Sequence, residues 1–243
     1  MKRFQEYTIL KNKEIQENIF ELIVQGEFDT MNPGQFLNIE IPGKYLLRPF
    51  SIANCRDNQI HIVYKIVGDG TKILSRIREG EKLNILTGLG NGFDLEEQTK
   101  KPLLVGGGTG VAPIYYLACK LIDKGIDPTL LLGFKRKEES IYLDYFQQFK
   151  DCFVTYETDE PYRFVTDYMK EWDKEKYDYF YACGPKGMLK AVSDCSYTDG
   201  EMSLESRMGC GVGQCKCCSI ETEDGMKTLC KDGPVLKKRM VRW

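Results

Sequence analysis

The sequence has little histidine, no long apolar run and almost no net charge, and each shortage excludes a class of function. His61 is the only histidine among 243 residues, which excludes His-rich metal sites and any mechanism that needs two imidazoles. Its alternating surroundings predict a half-exposed strand residue. No apolar run approaches the ~20 residues that cross a bilayer, which excludes a membrane span. The formal net charge of −2 provides no electrostatic footprint for nucleic acid.

Cysteine, by contrast, is abundant, and four cysteines near the C-terminal end carry a recognisable spacing. Cys210, Cys215 and Cys218 form a C-x4-C-x2-C pattern, and Cys230 follows at a distance. This is the ligand order of plant-type [2Fe-2S] proteins. The glycines within 209–213 tolerate the unusual backbone angles of a segment that wraps a cluster and points its amides at the sulfurs. The spacing therefore predicts an iron-sulfur site.

Other interpretations of these thiols remain open at the level of sequence. A four-thiolate zinc site usually has two C-x2-C pairs, whereas only Cys215 and Cys218 form one here. Disulfides of a secreted protein are disfavoured, because residues 1–6 show no apolar signal segment. Ten cysteines without such a segment indicate a reducing cytoplasm. Cys217 lies between two predicted ligands and could replace one of them.

The first third of the chain consists of short alternating segments between turns. This pattern predicts a small antiparallel barrel. The predicted strands are 7–10, 20–24, 36–41, 60–67 and 83–86.

A group of residues in this barrel has the chemistry of a flavin site. An arginine such as Arg48 can pair with a diphosphate through its planar fork, and Pro49 holds the strand end so that Ser51 could face an isoalloxazine ring. Gly70 and Thr71 open a predicted short helix whose N-terminal amides suit phosphate oxygens. Each piece is weak alone, and a surface ion pair is the plain alternative for Arg48.

From about residue 99 the pattern changes to strands that alternate with helices. An apolar strand at 102–105 leads into the turn Gly-Gly-Gly-Thr-Gly-Val-Ala-Pro at 106–113 and a helix at 114–124. Strand, glycine turn and helix together predict a pyrophosphate cradle, although the turn is not G-x-G-x-x-G. The alternation predicts a parallel sheet with helical crossovers. Its further strands are predicted at 129–134, 153–155 and 179–182, and its further helices around 143–146, at 165–170 and from about 188.

The nucleotide that this domain binds is not settled by the sequence. Basic residues at 135–137 could hold the 2'-phosphate of NADPH. Glu138 and Glu139 follow directly and could equally hydrogen-bond the free ribose hydroxyl of NADH.

Together and in this order, the motifs resemble the ferredoxin-NADP reductase superfamily. That resemblance implies FAD, with Arg48 and Thr71 near its phosphates and Ser51 near its ring, and it places Cys183 beside the nicotinamide. Lys65 stands where relatives often have arginine, so it would act as a point charge. A buried structural thiol is the plain alternative for Cys183.

The C-terminal module narrows the resemblance further. With its cysteines and the D-G-P-V run at 232–235, the whole chain is similar to the electron-transfer subunits of NAD-dependent (type B) dihydroorotate dehydrogenase. That family implies an NAD-reducing enzyme subunit of pyrimidine biosynthesis, in which electrons pass between NAD(H), FAD and the [2Fe-2S] cluster. It also implies an FMN-containing partner that oxidises dihydroorotate, a heterotetramer and a cytoplasmic location.

Two rival functions remain. One is the electron-transfer subunit of another NAD(P)H-dependent complex, of the ferredoxin-NADP reductase or sulfhydrogenase type. The other is a zinc-stabilised, non-enzymatic binding module on a degenerate reductase scaffold. Visible absorption would distinguish the second, because zinc is colourless.

The predicted fold is multidomain, with an antiparallel β-barrel FAD domain at 1–97, an α/β parallel-sheet NAD domain at 98–200 and a [2Fe-2S] module at 201–243. No catalytic side chain is predicted, because hydride passes directly between nicotinamide and flavin. The predicted metal ligands are Cys210, Cys215, Cys218 and Cys230. The predicted cofactor-binding residues are Arg48, Pro49, Phe50, Ser51, Val63, Tyr64, Lys65, Gly70, Thr71, Gly107, Gly108, Thr109, Gly110, Cys183, Gly184 and Pro185.

Overall fold

The computed structural model describes residues 3–160 and 162–243. Met1 and Lys2, which belong to the stretch 1–6 considered above, lie outside the described residues.

The first part of the chain forms a closed six-stranded antiparallel barrel, as predicted, with the strand order β1-β2-β5-β4-β3-β6. Apolar side chains at alternate positions fill its interior, because neighbouring side chains on a strand point to opposite faces. A short helix lies between the last two strands. The elements are β1 (Arg3–Gln16), β2 (Ile19–Gln25), β3 (Phe36–Ile39), β4 (Arg48–Arg56), β5 (Gln59–Lys65), α1 (Asp69–Leu74) and β6 (Lys82–Leu89).

Two predicted strands are too long at their C-terminal ends. β3 ends at Ile39 rather than at 41, because the chain turns at once, with the Lys44 amide donating to the Ile41 carbonyl. β5 ends at Lys65 rather than at 67, because the Val67 amide donates to Thr71 Oγ1 at 3.0 Å and leads the chain into α1.

The middle of the chain forms the predicted parallel sheet, with the strand order β11-β10-β7-β8-β9. β7 is buried along its whole length, as expected for a central parallel strand covered on both faces. The helix after it begins at Val111, earlier than predicted, because Pro113 is tolerated within a first helical turn. The elements are β7 (Pro102–Gly107), α2 (Val111–Asp123), β8 (Thr129–Phe134), α3 (Leu143–Phe146), β9 (Asp151–Tyr156), α4 (Val165–Glu171), β10 (Tyr179–Cys183), α5 (Lys186–Cys195) and β11 (Gly200–Ser203).

The C-terminal segment is attached to both preceding units. It contains a hairpin of β12 (Ser219–Thr222) and β13 (Gly225–Thr228), then α6 (Leu229–Asp232) and β14 (Val235–Lys237). β14 pairs antiparallel with β11 and so adds an edge strand to the nucleotide sheet. Asn91, after the last barrel strand, donates to the Val235 carbonyl at 2.9 Å and thereby fixes the same segment to the barrel. Within the described part of the chain, no helix is long and apolar enough to span a membrane.

Candidate cofactor sites

A cavity of about 340 Å³ lies where the barrel, the nucleotide sheet and the C-terminal segment meet. It brings together residues that are far apart in the sequence and that belong to the flavin and the nucleotide motifs. The predicted cofactor-binding residues that line it are Arg48, Pro49, Phe50, Ser51, Val63, Tyr64, Lys65, Thr71, Thr109, Gly110 and Cys183.

Arg48 brings a cationic group to the barrel side of this cavity. Its Nη1 donates to the Leu46 carbonyl at 2.7 Å, which holds the guanidinium near the start of α1. A Cβ at Gly70 would lie only 3.0 Å from Arg48 Nε, so glycine allows the guanidinium to approach the helix this closely. The position suits an anionic diphosphate, because a guanidinium binds such oxygens through a planar fork.

Two predicted residues on the same side use their side chains within the protein. Thr71 Oγ1 accepts hydrogen bonds from the Val67 and Gly68 amides and donates to the Gly68 carbonyl, so it caps its own helix. Tyr64 points into the barrel, where its ring stacks on Phe20 at 5.5 Å and its hydroxyl donates to Asn12. Burial raises the pKa of the Tyr64 phenol. The side-chain oxygens of Thr71 and Tyr64 are therefore already hydrogen-bonded within the protein.

On the nucleotide side, the two predicted turns pack directly against each other. A Cβ at Gly110 would lie 2.4 Å from the Cys183 carbonyl oxygen, and a Cβ at Gly107 would lie 3.0 Å from Pro185 Cδ. Gly184 is equally constrained, since its Cβ would lie 3.1 Å from the backbone of Gly107. These contacts leave no room for larger residues, so the glycines allow the carboxyl ends of β7 and β10 to meet.

Gly108 behaves differently from its neighbours in the turn. Its φ of +54° favours glycine, and a Cβ there would meet no atom within 4 Å. The turn therefore presents its backbone to open space at the carboxyl end of β7. A glycine backbone that faces open space between a strand and a helix fits the pyrophosphate of a dinucleotide.

Cys183 is a buried thiol at the cavity wall, with 4% of its surface exposed. Burial raises the pKa of this thiol to about 12, and the charge of Glu205 adds to the effect. The thiol therefore stays protonated at neutral pH and cannot act as a nucleophile. What it offers a bound ring is shape and a polarisable surface.

The four predicted cluster ligands lie together in two pairs that share amide contacts. The Cys210 and Cys215 amides each donate to the sulfur of the other residue at 3.4 Å. The Cys230 amide donates to Cys218 Sγ at 3.4 Å, and the Gly213 amide donates to Cys230 Sγ at 3.1 Å. Amides directed at sulfurs are what an iron-sulfur ligand segment requires.

Cys210 and Cys230, one from each pair, have pKa values that are shifted in opposite directions. Although burial opposes it, the Cys215 and Val212 amides lower the pKa of the Cys210 thiol to about 6. Burial and the neighbouring Cys218 raise the pKa of the Cys230 thiol to about 12. A bound metal would remove this difference, because coordination deprotonates a thiol outright.

Cys217 stands apart from both pairs. It is exposed, and none of the amide–sulfur hydrogen bonds among the described residues involves it. Across residues 3–160 and 162–243, no three His, Cys, Asp or Glu side chains converge as a single metal ion requires. The other four thiols lie in two pairs, and a donor set of four cysteines with amides directed at the sulfurs fits a [2Fe-2S] cluster.

The structure also brings to these sites residues that the sequence motifs missed. Phe36 and the segment 203–206 line the cavity, together with Met208 and Pro234. Phe36 also belongs to the apolar core cluster that contains Cys218 and Cys230. No local motif marks these residues, because tertiary packing alone brings them to the site.

Family models match two parts of the chain. Residues 205–242 match the iron-sulfur cluster binding domain of dihydroorotate dehydrogenase B, and residues 104–194 match the oxidoreductase NAD-binding domain. The first match contains the thiol site, and the second contains the glycine turn.

Whole-chain relatives give the same result. The chain is 37% identical to the electron transfer subunit of dihydroorotate dehydrogenase B (NAD(+)) of Fusobacterium nucleatum, with 96% of each chain covered. It is 39% identical to the corresponding subunit of Bacillus pumilus, again with 96% of each chain covered. A solved NADH-dependent reduced ferredoxin-NADP oxidoreductase is 29% identical and superposes with a TM-score of 0.88 over 98% of this chain and 90% of the other. Phthalate dioxygenase reductase, 20% identical with a TM-score of 0.69 over 79% of this chain and 64% of the other, shares the fold.

Proposed function

This chain belongs to the family of electron transfer subunits of dihydroorotate dehydrogenase B (NAD(+)), and from that premise we propose how its residues divide the work. The function is electron transfer between NAD(H), FAD and a [2Fe-2S] cluster in pyrimidine biosynthesis. When bound, FAD exchanges two electrons with the nicotinamide and the cluster carries one electron at a time. The observation that carries this conclusion is the shared position of the flavin motif, the nucleotide turns and the thiols around one junction.

Each group of residues has one task in this proposal. Arg48 and the backbone of α1 hold the FAD diphosphate, and Ser51 and its strand neighbours lie along the flavin ring. The turn at 107–110 binds the NAD pyrophosphate, while Cys183 fixes the nicotinamide against the flavin by shape. Cys210, Cys215, Cys218 and Cys230 ligate the cluster, and Cys217 does not.

The electrons leave this chain for a catalytic partner subunit, which the family name implies. We propose that this partner contains FMN, oxidises dihydroorotate and forms a heterotetramer with this chain. The exposed Cys215 and Cys217 indicate that the cluster lies near the protein surface, as transfer to a partner requires. Reduced thiols for cluster ligation accord with a cytoplasmic location.

Cofactor content and activity of the isolated chain test this proposal. The purified protein should contain FAD and about two irons and two acid-labile sulfides per chain. It should pass electrons from NADH to an artificial acceptor and leave dihydroorotate unchanged. A colourless protein, or one that oxidises dihydroorotate alone, would contradict it.

A further inference from the structure

Asn38 stands between the flavin side of the barrel and the cysteine loop. Its side chain leaves the barrel on the same face as that of Phe36, because side chains alternate along a strand. Asn38 pairs with Pro49 across β3 and β4, just as Phe36 pairs with Ser51. Phe36, Pro49 and Ser51 all line the cavity. Asn38 is therefore a direct neighbour of the cavity wall.

The same side chain touches the cysteine loop. A Cβ at Gly211 would lie 2.1 Å from Asn38 Nδ2, and Gly211 has a φ of +69°. Both facts require glycine at this position. Gly211 directly follows Cys210 and precedes Val212, whose amide points at Cys210 Sγ at 3.4 Å. Asn38 thus contacts the loop between a predicted ligand and an amide that faces it.

Packing alone does not explain a polar residue here. Asn38 is 1% exposed, and within the described part of the chain its buried Oδ1 has no hydrogen-bond partner. Burial of an unpaired carboxamide oxygen costs stability, and an apolar side chain of similar volume would avoid that cost. An unsatisfied polar group between two cofactor sites calls for a role that involves those sites.

We propose that Asn38 is a positioning residue for electron transfer between the flavin and the cluster. It seats the Cys210 loop on the flavin barrel, and its carboxamide stabilises the reduced state of the cluster. Reduction adds one electron and transfers no atom, so a nearby N–H dipole directed at the loop favours the more negative state. Hydrogen bonds to the sulfurs of a cluster help to set its reduction potential, and replacement of residues just outside the ligand shell typically changes metal affinity or activity 10- to 100-fold.

The variants Asn38→Asp and Asn38→Leu in the full chain test this inference. Aspartate keeps the shape but removes the N–H donors and adds negative charge, and leucine removes the polar group. At a fixed solution potential, we expect electron paramagnetic resonance to show an about tenfold lower ratio of reduced to oxidised cluster, equal to 59 mV for a one-electron couple. FAD content and the rate of flavin reduction by NADH should not change.

Asn84→Leu is the matched control. Asn84 lies on the same barrel, in β6, but is exposed and donates to Glu40 Oε2 at 2.8 Å, so its replacement should leave the cluster ratio unchanged.

The possible outcomes separate the two tasks of Asn38. Loss of iron with full FAD in the variants would support the inference, because the loop is then unseated while the barrel remains intact. If either variant kept its cluster and showed an unchanged ratio of reduced to oxidised cluster, the inference would be overturned. Joint loss of FAD and iron in both would also overturn it, since Asn38 would then serve only the barrel fold. The inference rests on the proposed function, which fails separately if the wild-type chain contains no cluster.

Discussion

Individual residues around the cavity differ in what they leave free for a cofactor. Arg48 keeps most of its guanidinium donors free, since among the described residues the only hydrogen bond of the guanidinium goes to the Leu46 carbonyl. Thr71 and Tyr64 use their side-chain oxygens within the protein. All three residues of the sequence motif line the cavity, and their part in cofactor binding stays a prediction. The motif cannot distinguish side-chain from backbone contributions, since that depends on neighbours such as Asn12.

Arg48→Ala should weaken FAD binding and leave the cluster in place. Loss of a charge-assisted hydrogen bond typically costs ~1.5 to 3 kcal/mol, which is roughly a tenfold to hundredfold loss of affinity at about 1.4 kcal/mol per decade. The measurement is the FAD and iron content of the purified variant. Arg56→Ala is the control, because Arg56 lies on the same strand with an exposed side chain. Equal flavin in both variants would mean that Arg48 is only a surface residue.

Cys218→Ser and Cys217→Ser should differ completely in their effect on the cluster. Cys218 is buried, and its Sγ accepts a hydrogen bond from the Cys230 amide, whereas the adjacent Cys217 is exposed. Serine at 218 should abolish the visible absorption of the cluster, and serine at 217 should retain it. Visible spectra with iron analysis decide the question, and the reverse result would require a different ligand set.

At the scale of elements, the site depends on two turns at the carboxyl ends of β7 and β10. Parallel pairing sets Cys183 opposite Gly106, so the turns that follow these residues must meet. The contact is tight because Gly110 lies against the Cys183 carbonyl. Such an arrangement positions a nicotinamide through backbone shape rather than through reactive side chains.

Gly110→Ala should therefore damage both stability and nucleotide binding. Its Cβ would lie 2.4 Å from the Cys183 carbonyl oxygen, and overpacking of this kind typically costs ~1 to 3 kcal/mol. Urea unfolding and the NADH dependence of flavin reduction are the measurements. Gly187→Ala in α5 is the control, because a Cβ there meets nothing within 4 Å. If the two variants were equally stable and bound NADH equally well, the turns would not pack as described.

Glu201 in β11 should make stability depend on pH. Burial raises the pKa of its carboxyl to about 7 from 4.5, despite a hydrogen bond from the Asp94 amide. Because this pKa is higher in the folded state than in the unfolded state, the protonated Glu201 stabilises the fold fully below about pH 4.5. This stabilisation is lost as the pH rises through about 7. Within this window, the free energy of unfolding of the wild type should fall by roughly 1.4 kcal/mol per pH unit relative to that of Glu201→Gln. If the difference between the unfolding free energies of the wild type and Glu201→Gln stayed constant across this window, the prediction would be wrong.

The elements also show what local sequence can and cannot predict. β8 and α3 occur at the predicted residues, because an apolar run and its flanking turns are local signals. β14 was not predicted, because the short strand Val235–Lys237 depends on its pairing with β11. Asn38 was missed for the same reason, since only the folded chain brings it to Gly211.

At the scale of the whole molecule, the C-terminal segment joins the two other units. It pairs with the nucleotide sheet through β14 and hydrogen-bonds to the barrel through Asn91. Gly211 of the cysteine loop lies against Asn38, on the same strand as Phe36, which lines the cavity. The thiol site is thus built into the junction beside the cavity, as a short electron path requires. The predicted boundaries at 97 and 200 stay a prediction.

The most direct test of this account is to assemble the chain with its dihydroorotate-oxidising partner and to measure NAD reduction driven by dihydroorotate. The wild-type assembly should couple the two reactions. An assembly that carries Cys218→Ser should lose NAD reduction, while its partner still passes electrons from dihydroorotate to a dye. NAD reduction that persists at the wild-type rate without the cluster would contradict the central claim that electrons travel through it.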